Sequence, residues 1–505
     1  MMFLRLFVFT FLTISFLIVG ASNVISQENT EPVRSKVIIA KVADRVITLD
    51  DFISRAEFTI RPAYCKGYTN LDKKIVLNSL IAEKLFAIES DVKNDLMQNQ
   101  KFRNMIAGRK EQRMRNLLSF IEGDEKVKLD SGEVEKIFSI AGRTYRIEYF
   151  NVTEINTAND LSKKYFGRDS SFYEIYKNSG IRDSIYKREV AWGDDESKKI
   201  HKALFSGELK KDQLVGPINI NDTTNIFIKI NGWNDRVVIS NTDVTERWSD
   251  VAEKLVREKA DSIYDKFVLG VMGDKTLSFN SPVFNKIVDL LAPFYTNRKE
   301  AAEEEFLQHV FDKNVETPDL QKLGGTYQEI ADEPFLSIDG KTWTVFDFKN
   351  EMDKHPLVFR KEDANSDFAH RLHHAVVDLV RDKYLTDAAY QRDYDRNEIV
   401  THYEQSWLDA SISYFQKLNY LKQFDLTGVN DIGIIEKYLN PYVESLLKKY
   451  SDQIEINVEE YEKIQLTRID MMTMEDQVPY PVYVPAFPQI TNYNRLDYGK
   501  KMNNN

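Results

Sequence analysis

The sequence predicts an α+β protein, predominantly helical, in which one hairpin-and-helix module is used twice around a small mixed segment. Three observations carry this. Short β-branched runs closed by tight turns stand directly before helix-start signatures at two places, near residue 48 and near residue 344. Longer segments with apolar residues at helical spacing follow both. Between them, strands and short helices alternate over residues 143–233.

The elements follow in order. Arg5 precedes an apolar run over 6–19, and Val24 and Ser26 stand three residues and one residue before a cut ahead of Gln27. A charged start, a short apolar core and a small-residue exit are the pattern of a cleaved secretory signal peptide. The run is shorter than the roughly 20 residues that span a bilayer. No later stretch is long and apolar enough either, so the sequence predicts no transmembrane segment after cleavage and a periplasmic or other extracytoplasmic location. After a polar leader, residues 37–42 read as a strand, 43–45 as a turn and 46–47 as its return. Thr48 with Asp51 then makes a capping-box signature for a helix over 49–57. A longer helix is expected over 71–91 with Ile75, Leu80, Ile81, Leu85 and Ile88 on one stripe, then a basic helix over 101–121 and a short one capped by Asp130.

The pattern returns downstream. Residues 335–338 turn at Asp339-Gly340 and come back through Lys341-Thr342-Trp343, and Thr344 with Asp347 repeats the cap of Thr48 with Asp51. Leu379-Val380-Arg381-Asp382-Lys383 echoes Leu80-Ile81-Ala82-Glu83-Lys84. Self-similarity with one order and spacing indicates a duplicated module. Asp243 with Glu246 is expected to start a long helix to about residue 268, and the acidic run 301–305 to be a solvated helix face. Near the end, Pro441 opens an amphipathic helix, and alternation over 454–458 marks a strand. Pro479, Pro481, Pro485 and Pro488 interleaved with Tyr480, Tyr483 and Phe487 forbid helix and favour an extended path.

Composition excludes some classes. A net charge of −11 argues against nucleic acid, whose phosphates need a Lys/Arg surplus. Cys65 is the one cysteine, so it forms no internal disulfide and anchors no metal site. The 25 Tyr and 30 Phe suit surfaces that grip peptides as well as ordinary core. Gly340-Lys341-Thr342 mimics the end of a phosphate loop, but Phe335 stands where the loop needs glycine. His370, His374 and Asp378 share one side of a helix, opposite Leu372, Ala375, Val376 and Leu379, and read as an exposed face. Asn151-Val152-Thr153 and Asn221-Asp222-Thr223 match glycosylation triplets that are common by chance.

Residues Val42-Ala43-Asp44-Arg45-Val46-Ile47-Thr48-Leu49-Asp50-Asp51-Phe52, with the Leu-Ile-Ala-Glu-Lys-Leu core of the following helix, resemble the opening of SurA-type chaperones, a family that includes the PrsA and PpiD foldases. The segment 143–233 resembles the parvulin-type prolyl isomerase domain of that family in its order. It has an opening strand, a helix, a Gly-Trp element, the stretch Ala203-Leu204-Phe205-Ser206-Gly207-Glu208-Leu209, a Gly216-Pro217-Ile218 turn and a closing strand. Parvulins usually carry histidines on the opening and closing strands, beside a Cys or Asp. Here those strands are Tyr145-Arg146-Ile147-Glu148-Tyr149-Phe150 and Asn225-Ile226-Phe227-Ile228-Lys229-Ile230, and His201 on a helix is the segment's one histidine.

The resemblance therefore implies an ATP-independent envelope chaperone for unfolded or nascent client polypeptides, outer-membrane or secreted. It would carry a degenerate parvulin-like domain and bind neither nucleic acid nor nucleotide. No cofactor is expected, and no residue is put forward as catalytic, cofactor-binding or metal-ligating. The alternatives are an active peptidyl-prolyl cis-trans isomerase and an assembly factor dedicated to one envelope partner. The expected organisation is a signal peptide (1–26), a SurA-like helical module (27–141), a parvulin-like domain (142–235), a helical connecting region (236–330), a second SurA-like module (331–428) and a C-terminal helix, strand and Pro/aromatic tail (429–505). The tail's composition resembles a bound peptide, so it is expected to pack back onto the protein, as a strap or in a client groove.

Overall fold

The computed structural model describes residues 36–90, 95–165, 171–180, 184–194, 196–221, 224–296, 325–360, 366–467 and 482–502. The expected signal peptide, the leader and the acidic run 301–305 lie outside them. The fold is mixed α+β, about 60% helical with small sheets, as the sequence predicts. Two compact units form, one taking the chain up to Ile121 and from Lys266 on, the other Glu122–Asp265.

The first unit opens with β1 (Ile38–Val42) and β2 (Arg45–Thr48), turned through Ala43 in the left-handed region at φ 54. The Thr48 hydroxyl accepts from the Asp51 N–H, and the Asp51 carboxylate accepts from the Thr48 N–H at 2.8 Å, so the predicted capping box starts α1 (Leu49–Glu57). A second box, Thr69 with Asp72, starts α2 (Asn70–Glu89). The single apolar stripe expected on this helix is not what forms. It is buried nearly all round, with Lys73, Asn78, Ser79, Glu83 and Lys84 as covered as Leu80. Polar groups buried in this way need partners. Lys73 donates to the Tyr461 carbonyl at 3.1 Å, Asn78 to that of Tyr493 at 3.0 Å, and Lys84 pairs with Asp409 at 3.0 Å. The basic helix α3 (Gln100–Glu122) follows.

In the second unit, α4 (Ser131–Ala141), capped by Asp130, leads into β3 (Arg143–Val152), α5 (Ile155–Tyr165), α6 (Ser171–Asn178) and β4 (Tyr186–Ala191). Then come α7 (Lys198–Phe205), β5 (Leu214–Asn221) and β6 (Thr224–Asp235). The four strands form an antiparallel sheet in the order β4-β3-β6-β5. Gly216-Pro217-Ile218 is an irregularity inside β5 rather than a turn: the pairing with β6 shifts between Val215 and Ile218, and the Gly216–Pro217 bond is cis. Gly216 sits at φ +122, where a Cβ would stand 2.5 Å from the Ile226 carbonyl, so the position admits only glycine. The long helix α8 (Asn241–Met272) is started by Ser240 with Asp243, at 3.1 and 3.4 Å, three residues before the expected pair of Asp243 with Glu246.

The chain returns to the first unit through β7 (Leu277–Phe279) and α9 (Ser281–Thr296). The second hairpin, β8 (Pro334–Ile338) and β9 (Lys341–Thr344), turns at Asp339 and Gly340 (φ 51 and 71) and feeds α10 (Val345–Lys354) through the Thr344–Asp347 box. Then follow α11 (Phe368–Tyr390), α12 (Glu398–Leu421) and α13 (Asn440–Lys449). The strand expected over 454–458 is shorter: β10 (Ile454–Ile456) stops where Asn457 accepts from the Glu460 N–H and caps α14 (Val458–Lys463). The described part of the tail runs extended and ends in β11 (Lys500–Lys501).

Each hairpin gains further strands, giving the sheets β11-β10-β1-β2 and β7-β8-β9. One core joins β1, β2, α1 and α2 to α13, β10, Tyr461, Phe487 and Ile490. A second joins α9 to β8, α10 and α11.

Candidate polypeptide-binding face

The sheet of the second unit has two unlike faces. Phe150, Val152 and Phe227 face α5 and α6, where Ala158, Leu161, Phe172 and Ile175 cover them. The opposite face is filled at one end by Tyr145, Ile147, Val190 and Ile230 against Leu204 and Phe205 of α7 and Val251 of α8. Towards its other end the register lays Tyr186, Tyr149, Ile228 and Val215 in one row across all four strands, with Asn151, Ile226 and Ile218 in the next.

Ile228 and Ile226 are buried, but cover is incomplete on either side of them. Tyr186 is 44% exposed, and Tyr149, Val215 and Ile218 are half-buried. The two tyrosine rings stack at 5.4 Å between centroids. The Arg188 guanidinium lies 5.1 Å from the Tyr149 centroid and is held by Glu196, with one of its bonds at 2.9 Å. β4 is also an edge strand: Tyr186, Lys187, Arg188 and Glu189 are exposed, and among the described residues no strand pairs with its outer side. An edge beside an aromatic shelf offers main-chain hydrogen bonds and apolar cover together, which is how an extended peptide adds to a sheet.

On the covered face beside it, Glu148 accepts from Tyr173 at 2.7 Å and pairs with Lys187 at 2.8 Å. The Lys187 bond, with help from Tyr173, holds the Glu148 carboxyl below its ordinary range against the effect of burial, and Glu148 in turn raises Lys187. Both groups are thus fixed in their charged forms at neutral pH, which suits a structural clasp more than proton transfer. His201 is core. Its Nε2–H donates to the Trp192 carbonyl at 3.1 Å, its ring packs 4.7 Å from both Trp192 and Phe205, and burial, with the Lys254 charge, pushes its pKa down to about 4.

Compared with family models, with curated proteins and with solved structures, the chain matches none.

The other constellations resolve physically. His370 and His374 lie 4.4 Å apart, ring to ring, but Asp378 is engaged by Arg360 through two 2.8 Å bonds and by Arg381 at 2.9 Å. Among the described residues no group of three His, Cys, Asp or Glu is placed to hold a metal ion. Gly340-Lys341-Thr342 forms the hairpin turn and the start of β9, and Cys65 is buried. Among the described residues no helix is long and apolar enough to cross a membrane. The described tail does pack back: Arg55 donates to the Ala486 carbonyl at 2.6 Å, Tyr403 to that of Tyr483 at 2.7 Å, and Phe487 and Ile490 are core. Val478 to Pro481 lie outside the described residues. Sequence reasoning passed over the row of Tyr149, Tyr186 and Val215, because neighbours across strands are set by register rather than by proximity in sequence.

Proposed function

We propose that the chain is an ATP-independent chaperone of the cell envelope that holds unfolded or nascent client polypeptides, and that its central unit is a parvulin-like domain used for binding rather than isomerisation. The observation that carries this is exposed Tyr186 with half-buried Tyr149 and Val215, in one row with buried Ile228, beside the edge of β4 that no strand pairs among the described residues. Support also comes from the element order of that unit, which follows the order the resemblance implies, and from the absence of histidine on β3 and β6. Apolar burial at about 25 cal/mol per Å² would hold clients without nucleotide.

Two assays run together test the reading. Stoichiometric protein should suppress aggregation of an unfolded substrate, while catalytic amounts leave proline-limited refolding unchanged. Replacing Tyr149 and Tyr186 by Ala should raise the amount needed for protection several-fold, roughly the loss of two aromatic contacts. Acceleration of refolding at trace levels without protection would establish the isomerase instead.

A further inference from the structure

We propose that the first unit is an interlocked pair of repeats, in which the closing elements of each copy complete the opening elements of the other. The opening halves correspond residue by residue. Leu49 N–H donates to Val37 O at 2.7 Å and Val345 N–H to Glu333 O at 3.1 Å, 296 residues apart at both ends. The caps Thr69 and Asp367 are 298 apart, and so are Asn99 and Asn397, whose side chains accept the N–H groups of the second helical residues of α3 and α12, Lys101 and Ile399. The repeat thus includes a third helix, α3 in one copy and α12 in the other.

Both third helices cross over. α12 carries Asp409, fully buried, to Lys84 at 3.0 Å and Arg45 at 3.1 Å, and His402 to Asp51 at 2.7 Å; all three partners belong to the first copy. α3 carries Glu111, 298 residues before Asp409, to His355 at 2.7 Å and Tyr390 at 3.3 Å, and Arg115 to Thr386 at 2.7 Å, all in the second copy. Where the two helices meet, the Arg109 guanidinium lies 4.5 Å from the centre of the Trp407 ring. These positions are equivalent, again 298 apart, and self-equivalent residues meet only at a two-fold axis.

The added strands repeat the exchange. β10, which follows α12, pairs antiparallel with β1 of the first copy: Val42 with Ile454 and Ala40 with Ile456. β7, which returns from the second unit after α3, pairs with β8 of the second copy: Ile338 with Leu277 and Leu336 with Phe279. The register is the same residue for residue. Even the exits match, with Asn457 N–H donating to Ile39 O at 2.8 Å and Asn280 N–H to Phe335 O at 2.9 Å. In chain order each copy therefore reads hairpin, three helices, strand, and the second unit is inserted after the third helix of the first copy only. Neither copy opens without withdrawing a strand and a helix from the other.

Hydrogen exchange on the full chain tests this. Asp409→Asn, which sits in the second copy, should speed amide exchange in β1, β2 and α2 of the first roughly tenfold or more, because it removes the nearest counter-charge of buried Lys84, leaving only Glu83 at 3.8 Å among the described residues, and the carboxylate that Arg45 meets. Glu111→Gln, in the first copy, should do the same in α10 and α11 of the second. Acceleration in the opposite copy, whether or not the rest of the unit follows, is the expected result. Acceleration confined to the copy that carries the substitution, or none in either variant, overturns the interlock.

Discussion

At the scale of single residues, charge and burial decide what the buried polar groups do. His355 and His402 each meet a carboxylate, Glu111 and Asp51, at 2.7 Å, yet they differ. Arg115 faces the Nδ1 of His355 at 3.5 Å, and a guanidinium only donates. Nδ1 must therefore accept and Nε2–H must donate to Glu111, the neutral tautomer, in line with a pKa that burial lowers despite Glu111. For His402 burial also pulls downward, but the bond and charge of Asp51 outweigh it and the pKa is raised. A raised folded-state value means that the stabilisation is fully present below the unfolded histidine pKa of about 6.5 and is lost as pH rises through the folded one. The melting temperature of the protein should therefore fall between slightly acid and slightly alkaline pH, and His402→Gln should flatten that slope. An unchanged slope would show that the pair contributes nothing.

At the scale of elements, close approach and cover matter more than propensity. Gly108 sits inside α3, where alanine would ordinarily add about 1 kcal/mol. A Cβ there would run into the Lys354 carbonyl at the end of α10. Gly108→Ala is therefore expected to reverse the usual sign and cost about 1–3 kcal/mol, read from the denaturation midpoint. The tail behaves as an element of the core despite its irregular path. Phe487 is 5% exposed and Thr491 fully buried, and α2 lends Asn78 and Ser79 to the tail's main-chain carbonyls. Phe487→Ala should cost about 3–5 kcal/mol in chemical denaturation, as for any large core truncation. A change below about 1 kcal/mol would mark the tail as a displaceable occupant.

At the scale of the whole molecule, much of the local structure was legible in the chain. The boxes of Thr48 with Asp51 and Thr344 with Asp347, both hairpins and the helix over 49–57 form where the sequence places them, because capping and two-residue turns depend on neighbours within three or four positions. The all-round burial of α2 was not legible, since what covers Lys73, Asn78 and Lys84 comes from Tyr461, Tyr493 and Asp409, more than three hundred residues away. The open row on the central sheet was hidden for a related reason: Tyr149, Tyr186 and Val215 become neighbours only through strand register. The duplication was half visible. Its hairpins and caps repeat as letters, but the third helices share geometry rather than residues, so that Arg109 answers to Trp407 and Glu111 to Asp409. By itself the sequence determined the two hairpins, the capped helices they feed and the recurrence of that pattern, since these are settled by short-range hydrogen bonding and side-chain periodicity. Only the tertiary structure decided which copy each closing helix and strand completes, because that choice rests on contacts between distant segments, where burying a lysine or an aspartate is tolerable only beside its counter-charge.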